Sequence, residues 1–278
     1  MHQGSTTDRN GGTGSTDGPT YKVNVLERAI SILQAFSSET PRMSLSEIAR
    51  ATGLHRSTAL RLLSTLTHAG MVNRDAVTGR YALGYEVIAM AEVARIGTGI
   101  VDCARPVIRE MSERLNETVV LSVRSGDFRV NVEQVIGNQV VRSVVELGNQ
   151  KPLTIGVPSL LILSSLPTEE VHAIAERVMP LTLAQDPEFS LEKLDRRLTQ
   201  IRSDGYYMNM THFRPDGTPG SSAIAAPIRA RRGEVVATIS VSLPIGRMTE
   251  ATQAEAIAEA LRGAEEVSAR LGQAGHAV

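Results

Sequence analysis

Six side chains in one short stretch are of the kinds that touch nucleic acid. Arg56, Ser57, Thr58, Arg61, Ser64 and Thr65 are interleaved with Ala59, Leu62, Leu63 and Leu66, and the apolar four recur at i, i+3, i+4 and i+7. That spacing is one buried stripe of a helix, so the arginines and short hydroxyls share its outward surface. Arginine donates in a fork to guanine or phosphate, and hydroxyls serve either, so the chemistry on offer is groove reading. Arg74 and Arg80 stand either side of the turn Asp75-Ala76-Val77-Thr78-Gly79, placed for phosphates or a narrow minor groove. Much later, Ser240 and Ser242 lie two apart in a strand pattern, so both hydroxyls point to one face and can meet a small ligand.

Bond-breaking chemistry has no comparable support. The chain contains no HExxH, phosphate-loop, GxSxG or cysteine–histidine signature, and His2, His55, His68, His172, His212 and His276 form no metal-ligand spacing. The single cysteine, Cys103, excludes an internal disulfide framework and a multi-cysteine zinc site, and it suits a reducing cytoplasm. No run of about 18 apolar residues exists to span a membrane, and the N-terminus lacks a signal-peptide core. No cofactor or metal is therefore expected. An enzyme with a targeting module, or an adaptor that meets no DNA, stand as the alternatives to a DNA-binding protein.

The elements that position the six side chains follow from the flanking sequence. Ser44 and Glu47 stand three apart, the spacing of a capping box, and start a helix with Leu45, Ile48, Ala49 and Thr52 inward. Ser44, at that helix start, joins the expected DNA contacts. Gly53 permits the turn to the next helix, which runs to Gly70 and completes a helix-turn-helix. Leu26, Ala29, Ile30, Leu33 and Phe36 predict a preceding helix over 24–36 with those residues buried. Residues 71–73 and 80–83 read as the two strands of a wing. Residues 1–20, rich in Gly, Ser and Thr, read as a disordered tail, and 274–278 as a second tail.

Charge divides along the same lines. The whole chain carries −1, yet residues 21–84 hold eight basic against four acidic side chains, +4, and residues 85–278 hold 20 against 24, −4. Positive charge thus accumulates where the helix-turn-helix lies, which favours DNA as that domain's partner. Tyr85–Ile96 is apolar nearly all round, a helix that wants burial on several sides; packing on its copy in a second subunit would satisfy it. Gly97 and Gly99 are expected to break it as a hinge, giving a linker or dimerisation helix over 85–99.

From residue 100 to 273 the pattern is that of a second domain. A helix over 100–116 leads to strands at 118–124, 128–136 and 139–147, then an apolar segment at 157–166 after Gly156. Helices follow at 168–178 and 190–204, with Thr168 and Ser190 as N-caps, then strands at 206–210, 222–230 and 235–243 and a closing helix over 249–271. The fold class is α+β: a winged helix-turn-helix, a linker helix, and an antiparallel sheet flanked by helices.

Taken together, VLERAISILQAF, LSEIARATGLHRSTALRLLSTLTHAG, TGRYALG and SSAIAAPIRARRGEVVATISVSLPIGRMT resemble the IclR family of bacterial transcriptional regulators over residues 24–271. The resemblance implies a GAF-like effector domain that binds a small molecule, often a carboxylic acid, and adjusts operator binding by a homodimer or dimer of dimers. It also implies an effector pocket formed by Val157 and Pro158 at a helix start and by Asn209, Met210, Ala223, Ser240 and Ser242. Leu147, Leu153 and Met210 would be apolar walls, and Arg214 could pair with a carboxylate. Relatives often carry a Gly-Lys helix start where this chain has Pro158-Ser159-Leu160, and an acidic pair near Asn209 and Met210. Those departures suggest a less polar ligand, an aromatic acid or its derivative. The regulator implied is a repressor or activator of a catabolic operon.

Overall fold

The computed structural model describes residues 23–37, 39–210 and 220–274. The tail expected over 1–20, the last four residues, His212 and Arg214 lie outside the described residues. The chain divides into two compact units, residues 1–90 and 91–278, and the division falls within a helix that joins them.

In the first unit α1 spans Asn24–Gln34, α2 Leu45–Thr52 and α3 Arg56–His68, followed by β1 at Val72–Arg74 and β2 at Tyr81–Leu83. Both halves of the capping box form at the start of α2: the Ser44 hydroxyl accepts from the Glu47 amide at 3.3 Å, and the Ser44 amide donates to Glu47 Oε2 at 2.6 Å. Gly53, left-handed at φ 67°, closes α2 and turns the chain into α3. Ile32, Met43, Ile48, Leu63, Val72 and Tyr81 make the core. Each fully buried aliphatic there contributes about 1.5–3 kcal/mol relative to exposure.

The burial of α1 differs from the expectation. Ile32 is its fully buried residue, while Leu26 and Ile30 are exposed together with Val23 and Val25. Apolar residues wrap most of this helix, and the face that meets α2 and α3 is the one carrying Ile32, Leu33 and Phe36, so the remainder is left uncovered. The helix α4 spans Tyr85–Thr98 and runs straight through Gly97, and the break comes at Gly99, which is left-handed at φ 61°. Tyr85, Ile88, Met90, Val93 and Ile96 along α4 are all exposed in the single chain.

In the second unit α5 spans Ile100–Leu115, β3 Thr118–Ser125, β4 Phe128–Val135, β5 Gln150–Pro152, α6 Val157–Ser164, α7 Thr168–Gln185, α8 Leu191–Asp204, β6 Tyr207–Met210, β7 Ser221–Arg229, β8 Val235–Pro244 and α9 Glu250–Ala274. The strands form one antiparallel sheet in the order β5-β4-β3-β8-β7-β6. Alternation along the central strands gives each face its own character. Val119, Leu121, Ile224, Ala226, Ile239 and Val241 pack with Ile108 and Met111 of α5 and with Ala260 and Val267 of α9. The other face carries Ser122, Ala223, Ala225, Ser240 and Ser242, and α6 lies over it.

Two local expectations fail for identifiable reasons. Residues 139–147 form no strand. Side chains satisfy their backbone instead: Thr118 Oγ1 donates to Ser143 O at 2.6 Å, Gln134 Nε2 to Val145 O at 2.8 Å, Asn131 Nδ2 to Glu146 O at 3.2 Å and Arg247 Nη1 to Val141 O at 2.8 Å. The edge pairing with β4 is made by β5. Thr168 is not a cap; Pro167 holds that position without a side-chain bond, and α7 continues past Pro180 to Gln185. Ser190 does cap α8, accepting from the Lys193 amide at 3.2 Å.

Candidate nucleic-acid interface and effector cavity

The outward side of α3 is built from its inward one. Ala59 and Leu63 are fully buried, and Leu62 and Leu66 pack beside them. A rotation of about 100° per residue then centres Ser57, Arg61 and Ser64 on the opposite side. All three are exposed, as are Arg56 and Thr65, whereas Thr58 is half-buried at the edge. The helix start is fixed by a cap that the sequence did not signal. His55 Nδ1 lies 3.4 Å from the Ser57 amide, which donates to it, and 2.8 Å from Ser57 Oγ. Leu60, exposed on the same helix and outside its apolar stripe, offers an apolar surface of the kind that meets thymine methyl groups.

The wing holds Arg74 and Arg80 differently. Arg74 lies 5.6 Å above the Tyr81 ring, a cation–π arrangement that orients it beside the turn. Asp75 accepts from the Val77 and Thr78 amides at 3.0 and 2.7 Å, and these bonds, the Thr78 amide foremost, hold its carboxyl below the usual range. Arg80 turns back: Nη1 donates to Arg42 O at 2.9 Å and lies 3.4 Å from Glu47 Oε2. Its charge is thereby shared with the carboxylate that caps α2. Ser44, the cap itself, is half-buried, with its hydroxyl engaged by Glu47.

In the second unit a cavity of about 300 Å³ opens between the α6 face of the sheet and the start of α6. It brings together Val157, Pro158, Asn209, Ala223, Ser240 and Ser242. Strand register explains the grouping: Ser242 pairs with Ala223, and Ala223 with Asn209, in one cross-strand row, and Ser240 lies in the neighbouring row beside Val120. The expected apolar walls do not take part. Leu153 is wholly buried in the core under α6, and Leu147 and Met210 are exposed away from the lining.

The cavity also takes in residues that sequence reasoning missed: Val120, Arg129, Asn131, Val145, Lys151, Ile155, Gly156 and Ser221. Of these Arg129 is chemically the most unusual, being a guanidinium at 7 % exposure. Its Nε donates to Ser159 Oγ at 3.1 Å and its Nη1 to Ser122 Oγ at 3.2 Å and to Asn131 Oδ1. All three acceptors are neutral, and burial pulls its pKa down to about 10. Among the described residues no group of His, Cys, Asp and Glu is placed to hold a metal ion, and no helix is long and apolar enough to cross a membrane.

Comparison with known proteins places both regions. The IclR helix-turn-helix domain matches residues 25–76, and the bacterial transcriptional regulator IclR C-terminal domain matches residues 94–269. The chain is 33% identical over 226 residues to the HTH-type transcriptional regulator Rv1719 of Mycobacterium tuberculosis, covering 81% of this chain and 84% of that one. Its fold is similar to that of an IclR transcriptional regulator from Alicyclobacillus acidocaldarius, at a TM-score of 0.76 and 23% identity over 91% of this chain and all of the other. It is also similar to that of an IclR homologue from Microbacterium hydrocarbonoxydans in complex with 4-hydroxybenzoate, at a TM-score of 0.71 and 22% identity over 89% of this chain and 99% of the other. A winged helix-turn-helix followed by an antiparallel sheet flanked by helices, matched along both units, makes the chain a member of the IclR family of transcriptional regulators.

Proposed function

We propose that this regulator reads its operator with α3 and the wing, and that a small carboxylic acid or derivative bound in the cavity adjusts its affinity for a catabolic operon. The observation that carries the DNA half is the exposed surface of α3, with Arg61 between Ser57 and Ser64 on a helix fixed by caps before it. Arg56, Thr58 and Thr65 on the same helix, Arg74 on the wing and Ser44 at the start of α2 are the further contacts in this reading, and phosphate contacts supply much of the affinity. The 4-hydroxybenzoate complex of the structural neighbour supports a ring-sized acid as effector, and the cavity volume suits it.

In this reading residues 21–84 bind DNA, 85–99 link and pair two subunits through the uncovered side of α4, and 100–273 receive the effector. Ligand action then requires unequal affinity for two arrangements of the dimer, because equal binding shifts nothing. The test uses a duplex that the wild-type chain selects from a randomised pool, followed by fluorescence anisotropy. Arg61→Ala should weaken binding by about 1–3 kcal/mol, roughly 5- to 150-fold, and relax selection at one position. Unchanged affinity and an unchanged selected sequence would remove α3 as the reading element.

A further inference from the structure

Two charged residues among those described are buried, and they are treated differently. Glu117, at 6 % exposure, receives Arg247 Nε at 2.5 Å and Nη2 at 2.7 Å, a bidentate ion pair. Arg129, at 7 %, has no carboxylate partner among the described residues. Its neighbours are two hydroxyls and an amide oxygen, and its Nη2 has no protein partner among the described residues. A buried cation without a counter-charge is costly, and chains retain one where something else supplies the charge. Arg129 is also one of the residues that line the cavity.

The surroundings hold the guanidinium as a prepared site. Ser122 Oγ donates to Asn131 Oδ1 at 3.0 Å, Asn131 is fixed in turn to Glu146 O, and Ser159 ties the Nε edge to the first turn of α6. A β-bulge between Leu121 and Ser122 sets the register in which Asn131 faces Ser122. Leu160 brings no charge to the α6 start, and Arg129 reaches it from the sheet through Ser159.

We propose that Arg129 is the acid-recognising residue of the effector cavity, pairing its free guanidinium edge with the carboxylate of the ligand. The inference rests on the reading of this cavity as the effector site. Arg129 on β4 lies opposite Arg124 and Ser240 on β8 opposite Val120, so the two are displaced from each other both across the sheet and along it. The guanidinium and the hydroxyls of Ser240 and Ser242 therefore line different parts of the cavity, and a ligand that meets both carries its acid and its hydroxyl or carbonyl at separate ends.

The test is calorimetric titration of the full chain with benzoate, 4-hydroxybenzoate, glyoxylate and pyruvate, each against its neutral amide. Wild type is expected to bind at least one acid at least tenfold more tightly than its amide. Arg129→Gln should bring that ratio close to one, Arg129→Lys should keep part of it, and Ser240→Leu, which fills the cavity, should abolish binding of both. Equal affinity for acid and amide in the wild type, binding of none of the acids, or a ratio that survives in Arg129→Gln overturns the assignment. Acid and amide weakening together in that variant also overturns it, since that marks a merely structural arginine. Should Arg129→Gln not fold, the wild-type ratio and the Arg129→Lys variant carry the test. Acid binding that persists in Ser240→Leu instead refutes the cavity as the effector site, an outcome distinct from failure at Arg129 alone.

Discussion

Replacing Gly84 with alanine should unfold the DNA-reading unit well below the temperature at which the wild type melts. Gly84 sits between β2 and α4, and its amide donates to Met71 O at 2.8 Å. A Cβ there would lie 1.9 Å from Gly70 O, 2.8 Å from Gly70 C and 3.0 Å from Met71 C. Every one of these neighbours is backbone, so no side chain can swing aside, and the nearest is more than about 1 Å inside van der Waals contact. Overpacking of this kind costs about 1–3 kcal/mol, and losing the amide bond adds about 1 kcal/mol. For a unit of this size the sum lowers the melting temperature by roughly 10–25 °C. The control is Gly97→Ala, in the last turn of α4, where a Cβ meets nothing within 4 Å. There alanine should leave stability unchanged or raise it, by up to about 0.5 kcal/mol. The assay is a thermal melt of the full chain combined with hydrogen exchange at Val72 and Tyr81, which report on the first unit. A Gly84→Ala protein melting within about 2 °C of wild type, or a Gly97→Ala protein equally damaged, would refute the steric argument.

Two further outcomes follow from charge and from surface. Asp127 is held below the usual carboxylate range by Arg177, which donates at 2.7 and 2.8 Å, and Glu259 by Arg262 and then Arg114. A depressed folded-state pKa gives stability that is present above the unfolded value and lost as pH falls through the folded one. The second unit should therefore lose stability below about pH 4, and Asp127→Asn with Glu259→Gln should flatten that acid limb in melts taken between pH 2.5 and 7; an unaltered slope contradicts it. On α4, Ile88 and Val93 are 66 and 71 % exposed in the single chain. Ile88→Asp with Val93→Asp should shift sedimentation toward monomer, and an unchanged assembly state would remove α4 from the subunit contact.

The sequence was most legible where the signal is local. The Ser44–Glu47 box, the Gly53 turn and the stripe of Ala59, Leu62, Leu63 and Leu66 are set within a few residues, and they appear as read. What escaped depends on partners far along the chain. Residues 139–147 carry strand-like valines, yet Thr118, Asn131, Gln134 and Arg247 take their backbone groups. Arg129 alternates with Val130 and Val132 and so looks like an ordinary solvent-facing strand residue; it is α6, brought over the sheet by tertiary packing, that turns it inward. The grouping of Val157, Pro158, Asn209, Ala223, Ser240 and Ser242 came from the resemblance, because spacing alone cannot bring residues more than eighty positions apart together.

The helix α6 has Val157 and Ser159 through Ser164 all buried, so it has almost no wet face. Most positions in such a helix are closed to polar or larger substitutes, since each touches core on one side or another. If the cavity takes the effector as proposed, a descendant of this protein that responds to a different molecule must therefore change elsewhere. The open positions are on the strands, at Ala223, Ser240, Ser242 and Asn209, where a side chain enlarges or retracts into empty volume without disturbing the layer beneath. The cavity thus has one wall that evolution can redecorate and one that it must leave alone.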